Sequence, residues 1–286
     1  MSGSLNAISR RFERSAAGAY DANAGVQREM AGRLAGLCAD NRDDGGGRPA
    51  RILEIGCGTG AFTEKLTAAW PNAQLTALDV APAMLEAANR RLSSSGSAGS
   101  EAVGRNISFV RADAETWVSD AAPASFDLIA SNACFQWFSR PRQTLHELRR
   151  LLRPGGSLAF ATFGPLTFRE LHHSFEAAYA KRGLASQRHG LTFCEPGLWE
   201  AMLADAGFGR PQLARRIQLE KYPTVRDFLH SVKATGASAS QASASAAHGL
   251  KRLFADMTRS YESQYGSPSG ICATYDIILV RAAVPR

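Results

Sequence analysis

The sequence predicts an α/β fold: a mostly parallel, seven-stranded sheet with helices on both faces and helical insertions covering one edge. Three observations carry that prediction. Short apolar runs alternate with segments of helical spacing over residues 51–162, the pattern that parallel strands joined by crossover helices impose. The run Ile52-Leu53-Glu54-Ile55 enters a turn of alternating glycines, Gly56-Cys57-Gly58-Thr59-Gly60, directly before a helical segment. A second apolar run then ends on a carboxylate, Asp79.

The elements follow in order. Residues 1–6 are small and polar, and fray at the terminus. Val26, Met30, Leu34 and Leu37 recur at helical spacing, and 43–49 is a glycine-rich loop. Strand 51–55, helix 61–70, strand 74–79 and helix 82–92 come next, with Pro82 in a first turn where its missing amide hydrogen is not needed. Serine- and glycine-rich 93–104 is an excursion without chemistry. Strands 107–111, 126–131 and 157–162 complete the core. The helix 144–152 stops at Arg153-Pro154-Gly155-Gly156, which turns into the fifth strand. Beyond it lie helices 166–182 and 196–206, strand 212–221, helices 224–232 and 248–265 around low-complexity 237–247, and a closing strand 274–281. The chain divides into one domain with an N-terminal helical lid (1–48), a cofactor-binding core (49–162), a helical acceptor cover (163–211 and 223–270) and final strands (212–222 and 271–286).

Ligands of open α/β sheets sit beyond the carboxyl ends of the strands, so the residues there are the candidates. Gly56, Cys57, Gly58 and Gly60 let the backbone approach a ligand closely, and the following helix points its free amides at it. Asp79, with Val80 beside it, can accept both ribose hydroxyls of an adenosine group. Met84 can pack on the purine or serve as core filler. Asp113-Ala114 can meet the adenine amino group, or Asp113 can cap a helix. Asn132, Cys134, Gln136 and Trp137 follow the fourth strand and face the reacting groups, Asn132 and Gln136 on the cofactor side and Trp137 on the acceptor side. The pattern E-x-G-x-G-x-G differs from the dinucleotide fingerprint. Its extra carboxylate, Glu54, suits a positively charged cofactor, and S-adenosylmethionine carries a sulfonium and an ammonium.

Glu54 with the glycines, the acidic end of strand two, Asp113-Ala114 and the Arg-Pro-Gly-Gly turn strongly resemble the class I S-adenosylmethionine-dependent methyltransferases, a Rossmann-like fold, over 50–162. The flanks narrow this. FERSAAGAYDANAGVQREM (12–30), Gln136-Trp137, TFGPLTFREL (162–171), VKATGA (232–237) and Ala273-Thr274-Tyr275-Asp276 look like the malonyl-acyl-carrier-protein methyltransferases of biotin synthesis. The stretches at 93–104 and 237–247 depart from the pattern as insertions. The resemblance implies methylation of the free carboxylate of a malonyl thioester, on the carrier or on CoA. In similar enzymes an N-terminal helix closes over the cofactor, which gives Tyr20 and Gln27 a role against cofactor and acceptor. That carboxylate is ionised at neutral pH, so no general base is required and no catalytic residue is assigned. A cation is wanted to hold it. Arg188 and His189 are the candidates, and Phe163 joins Tyr20 and Trp137 in the acceptor set.

Bulk properties agree. The chain of 286 residues is 45% hydrophobic, ample for a core, and no apolar run approaches the ~18–20 residues of a membrane span. Five scattered cysteines without a C-x-x-C pair read as reduced thiols, and adjacent His172-His173 point apart, so no metal site is expected. A soluble cytoplasmic protein is expected. A net charge of +7 favours an acidic partner. Arginines spread along the chain without an RNA-binding signature argue against nucleic acid and for an acidic carrier protein. Two other readings stay open: a methyltransferase for another small acid or metabolite, and a non-catalytic S-adenosylmethionine-binding module.

Overall fold

The computed structural model describes residues 9–10, 12–13, 19–40, 48–94, 106–236 and 247–286. Segments 1–6, 95–104 and 237–246, with most of 43–49, lie outside the described residues. Two helices, α1 (Ala19–Asn23) and α2 (Gly25–Ala39), precede the sheet. The core follows as β1 (Arg51–Ile55), α3 (Ala61–Ala69), β2 (Gln74–Asp79), α4 (Pro82–Ser94), β3 (Ile107–Arg111), α5 (Ala114–Asp120), β4 (Phe126–Asn132), α6 (Pro141–Leu151) and β5 (Leu152–Phe163). The remainder is α7 (Arg169–Lys181), α8 (Pro196–Asp205), β6 (Gln212–Tyr222), α9 (Val225–Ala234), α10 (Ala247–Tyr265), β7 (Gly266–Ser267) and β8 (Gly270–Ala283).

The strands run β3-β2-β1-β4-β5-β8-β6, with β8 antiparallel to both neighbours. This is the expected seven-strand sheet with one addition, the two-residue β7 that hairpins onto β8. After β1 the chain builds outward through β2 and β3, then returns to place β4 on the other side of β1. That reversal opens a crevice at the carboxyl ends of β1 and β4, where ligands of such sheets bind.

Strand periodicity divides the core between the two faces. Ile52 joins α2 and α3 on one face, where Met30, Leu34 and Leu66 have no exposed surface. Leu53 and Ile55 join α5, α6 and α8 on the other, around Phe135, Phe160 and Trp199. Phe135 and Phe160 stack at 4.1 Å. Strand β8 lies between β5 and β6 and is apolar on both faces from Ile277 to Val280, as a central strand must be.

One helix is added and three expectations are corrected. The short amphipathic stretch of α5 carries little periodic signal; Asp113 caps it, as the sequence allowed, accepting from the Glu115 amide at 3.2 Å. Arg153-Pro154-Gly155-Gly156 does not end the helix but lies inside β5, in a bulge between the Phe126↔Leu152 and Leu128↔Ser157 pairs. A Cβ on Gly156 would sit 2.9 Å from the Arg153 carbonyl oxygen. The helix expected from 166 starts at Arg169, because Phe168 takes a left-handed φ of 60° that a helix cannot continue through. Helix α8, expected over the carboxyl edge, packs on the α6 face through Trp199, Met202 and Leu203.

One buried carboxylate fixes the turn after β5. Asp276 has no exposed surface; it accepts two hydrogen bonds from Arg215, both at 2.8 Å, and one from the Leu166 amide at 3.0 Å. Asp276→Ala is expected to cost roughly 2–4 kcal/mol, because it strands a buried amide and a part-solvated guanidinium together. Urea titration measures it, and a loss no larger than that of an ordinary surface substitution contradicts the assignment.

Candidate active site

The site is built on the glycine turn. The amides of Gly56 and Cys57 both donate to the Leu78 carbonyl at 2.9 Å, tying the end of β1 to the end of β2. The Gly58 amide donates to one Asp79 carboxylate oxygen at 2.9 Å, and the Ala81 amide to the other at 2.9 Å. A Cβ on Gly56 would lie 2.6 Å from Cys134 Sγ, and one on Gly60 would lie 2.9 Å from the Ala88 Cα. Those two positions are glycine because β4 and α4 press against the turn. At Gly58 a Cβ would meet no protein atom within 4 Å, yet φ is +54° and the residue lines the crevice.

Beside the turn lies a cavity whose wall holds Gly56, Gly58, Asp79, Val80, Met84, Asp113, Ala114 and Asn132, with Tyr20 and Trp137 at one end. Its charged lining residues, Asp79, Asp113 and Glu115, are all acidic. Glu115 is already engaged by the Ser139 and Arg140 amides at 2.9 and 2.7 Å. Asp79 is raised above its ordinary value by burial, against the pull of the amides bound to it. Asp113 caps α5 and also lines the cavity, and Met84 is 1% exposed in the core while touching the same space. Cys57 and Gln27 line an adjoining cleft on the α1 side. Asn132 donates through Nδ2 to the Gln27 carbonyl at 3.0 Å, and its buried Oδ1 has no partner.

A second, aromatic cavity shares Phe12, Tyr20, Ala133 and Trp137 with the first and adds Phe163, Phe168, Phe193 and Tyr275. Phe12 meets the Trp137 ring edge-on at 5.5 Å. None of its described lining residues carries a formal charge at neutral pH. The Tyr20 hydroxyl is held well above its ordinary value, by burial first and then by Asp79 and Asp21, so it stays a proton donor.

Five predicted positions sit elsewhere. Gly60 lines neither cavity; it is the N-terminal cap of α3. Gln136 faces the second cavity, its Nε2 donating to the Ala133 carbonyl at 2.7 Å and its Oε1 accepting from Thr162 at 3.1 Å. Arg188 is exposed, donates to the Leu191 carbonyl and lines neither cavity. His189 is buried, hydrogen-bonded to the Tyr179 hydroxyl at 2.9 Å and stacked on Phe175 at 3.8 Å. Burial lowers its pKa, so it holds no charge at neutral pH. Neither expected cation therefore lines the aromatic cavity. Glu54 also lines neither cavity. Strand alternation turns it onto the Ile52 side, 1% exposed, with both oxygens and the nearby Thr63 hydroxyl lacking partners. Burial pushes its carboxyl up to about 8.

Sequence reasoning missed the fastening of α1. Asp21 accepts from Thr59 of the glycine turn at 2.6 Å and from Arg91 of α4 at 2.6 Å, which holds Tyr20 over the crevice. Thr59 and Arg91 gave no sign of it, since only the folded chain brings 21, 59 and 91 together. The site fits a cationic adenosine cofactor on three counts: an all-acidic set of charged walls, open space at Gly58, and an unpartnered buried oxygen on Asn132.

Comparison with known proteins agrees with this geometry. A family profile described as a methyltransferase domain matches residues 52–156. A malonyl-[acyl-carrier protein] O-methyltransferase of Paenibacillus sp. (strain JDR-2) is 47% identical over 282 residues, spanning 99% of this chain and 100% of that protein. One from Brevibacillus brevis is 44% identical over 98% of this chain and 96% of its own length. One from Halalkalibacterium halodurans is 38% identical over 96% of each. Among solved structures, a putative methyltransferase from Bacillus halodurans superposes with a TM-score of 0.59 at 16% identity, over 90% of this chain and 100% of that one. The YcgJ protein of Bacillus subtilis gives 0.58 at 17%, over 89% and 99%. At those identities the two structures show the same fold.

Glu54 makes a testable contribution to stability. Its folded pKa of about 8 lies above the 4.5 of an ordinary glutamate. Between those values the native carboxyl keeps a proton that the unfolded chain has lost, so stability of the cofactor-free protein falls as pH rises through that window. Glu54→Gln is expected to remove this slope and to be more stable than the parent at pH 7 by roughly 1–3 kcal/mol. Thermal melts from pH 5 to 8 measure it; parallel curves for the two proteins contradict it.

Proposed function

The chain belongs to the malonyl-[acyl-carrier protein] O-methyltransferases, and from that premise we propose that the acidic cavity holds S-adenosylmethionine while the aromatic cavity holds the malonyl carboxylate. The enzyme methylates the free carboxylate of malonyl carried on acyl carrier protein, giving the methyl ester used in biotin synthesis. The observation that carries the assignment of cavities is that they meet at Tyr20 and Trp137, one with acidic walls and the other without formal charge.

When bound, S-adenosylmethionine supplies a methyl group activated by a sulfonium, which the carboxylate takes up directly. Asp79, at the end of β2, offers the ribose its oxygens while keeping the turn in place. Asp113 and Met84 serve the adenine end, and the unpartnered Asn132 Oδ1 serves the amino-acid end. Glu54 acts from beneath the turn, as a buried carboxyl whose ionisation a nearby cation favours. In the second cavity the Tyr20 hydroxyl, the Gln27 amide and the Trp137 indole N–H are the donors for the malonyl carboxylate. Neutral donors serve this chemistry better than an arginine. They satisfy the anion's lone pairs without a paired charge that the product ester would leave stranded. An uncharged wall also strengthens attraction between carboxylate and cation, because effective dielectric falls as water is excluded. No proton is removed, which agrees with a Tyr20 that keeps its own. Alignment of held reactants supplies most of the acceleration, worth ~7–11 kcal/mol at its best.

CoA is a polyanion too, so preference for the carrier rests on the larger acidic surface that a carrier protein presents. A chain of net charge +7 attracts an acidic carrier at long range, and salt weakens that attraction. The test is methyl transfer to malonyl carrier protein, malonyl-CoA and free malonate, with the carrier expected to be preferred at low salt. Equal use of carrier and CoA overturns the preference, and no transfer to any of them overturns the function. Asp79→Ala is expected to weaken S-adenosylmethionine binding by about 1–3 kcal/mol, read by calorimetry. Phe163→Ala is expected to raise the acceptor KM with cofactor affinity unchanged. Equal effects of Phe163→Ala on both ligands contradict the division of the cavities.

A further inference from the structure

A third cavity, of about 200 Å³, lies next to the aromatic one, and the two share the walls Phe168, Leu191 and Phe193. It is floored by Phe175 and Leu171 of α7, flanked by Leu229 and Val232 of α9, and edged by Phe254 of α10, which is 38% exposed. None of these residues is needed for the chemistry of the first two cavities. Resting on the function proposed above, we propose that this cavity is the channel for the phosphopantetheine arm that carries the malonyl thioester, with Lys233 and Arg188 receiving the arm's phosphate at its outer rim.

Four observations support that occupant. A carboxylate held between Tyr20 and Trp137 needs its thioester to run outward toward the surface, and the third cavity adjoins the aromatic one across Phe168, Leu191 and Phe193. Phe168 at that wall keeps a left-handed backbone, φ 60°, fixed by donation of its amide to the Thr274 carbonyl at 2.8 Å. Strain of this kind in a bulky residue persists where the surrounding structure holds a functional surface in place. The lining also suits the arm's mixture of methylenes, paired methyl groups and amides. It is apolar apart from His172, His189 and Lys233, and the buried Nε2 of His172 has no hydrogen-bond partner, so an amide N–H of the arm would supply one.

The rim supplies the charge. Lys233 is exposed on this cavity and makes no ion pair among the described residues. Arg188 is exposed and anchored to the carbonyl of Leu191, one of the shared wall residues. After burial, Arg188 is the main cause that lowers the pKa of His172, which places its charge beside the same cavity. Arg188, expected from sequence to hold the malonyl carboxylate, thus stands at the opposite end of the path, where a phosphate diester and an acidic carrier surface need a cation.

The experiment compares two variants, Leu229→Trp, which fills the channel, and Lys233→Glu, which inverts the rim charge. Each is assayed with malonyl carrier protein and with the malonyl thioester of N-acetylcysteamine, which lacks most of the arm and the phosphate. Cofactor affinity is measured alongside. The expected result is a fall in kcat/KM of about tenfold or more for the carrier substrate in both variants, with short-thioester turnover and cofactor affinity kept. Equal losses on both acceptors, or no loss on the carrier, overturn the channel while leaving the function standing. If the parent enzyme methylates neither acceptor, the function fails first and the channel with it.

Discussion

The carboxylate of Asp79 is the constraint on which the rest of the site depends. It binds the Gly58 and Ala81 amides, and with the two amides donated to the Leu78 carbonyl it locks the ends of β1 and β2 into one unit. The turn that results presses against Cys134 on one side and Ala88 on the other, so its shape is transmitted to the β4 loop and to α4. The Thr59 hydroxyl then fastens Asp21, and Asp21 carries Tyr20 over the crevice. One acidic residue at the end of one strand thereby reaches both cavities, through backbone in one direction and through side chains in the other.

Charge is distributed along the site in the order a neutralising reaction requires. Carboxylates line the first cavity, uncharged aromatic and amide groups line the second, and Lys233 stands on the third. Burial raises both Glu54 and Asp79, and a cation bound beside them would lower both. A cation in the middle cavity would compete with the one that carries the methyl group. Among the described residues that cavity has no arginine or lysine, and Arg188 and His189 do not line it.

The second half of the fold supplies most of the aromatic cavity's walls. β8 inserts between β5 and β6 and presents Asp276, whose carboxylate secures the turn after β5, while Phe163, Phe168 and Tyr275 from these segments form the aromatic wall. Helices α7, α9 and α10 lean on that wall through Phe175, Phe228 and Tyr261. The N-terminal helices divide their work in the same spirit. α2 is a core layer, with Met30 and Leu34 fully buried, and reaches the site through Gln27, while α1 holds Tyr20 over the crevice.

By itself the sequence determined the sheet, the glycine turn, the acidic strand ends and the family, because each is a local signal. Strand period, backbone freedom at glycine, and the spacing from Gly60 to Asp79 are properties of short stretches read one at a time. It also named the loop bearing Gln136 and Trp137, since residues after a strand face the carboxyl edge whatever lies opposite. Only tertiary structure decided that Glu54 is buried away from the cavities, that α8 packs away from the site, and that Asp21 joins Thr59 and Arg91. The physical reason is common to all three. Burial and partnership are set by what long-range packing brings alongside a side chain, and neither composition nor periodicity records the neighbour across the sheet.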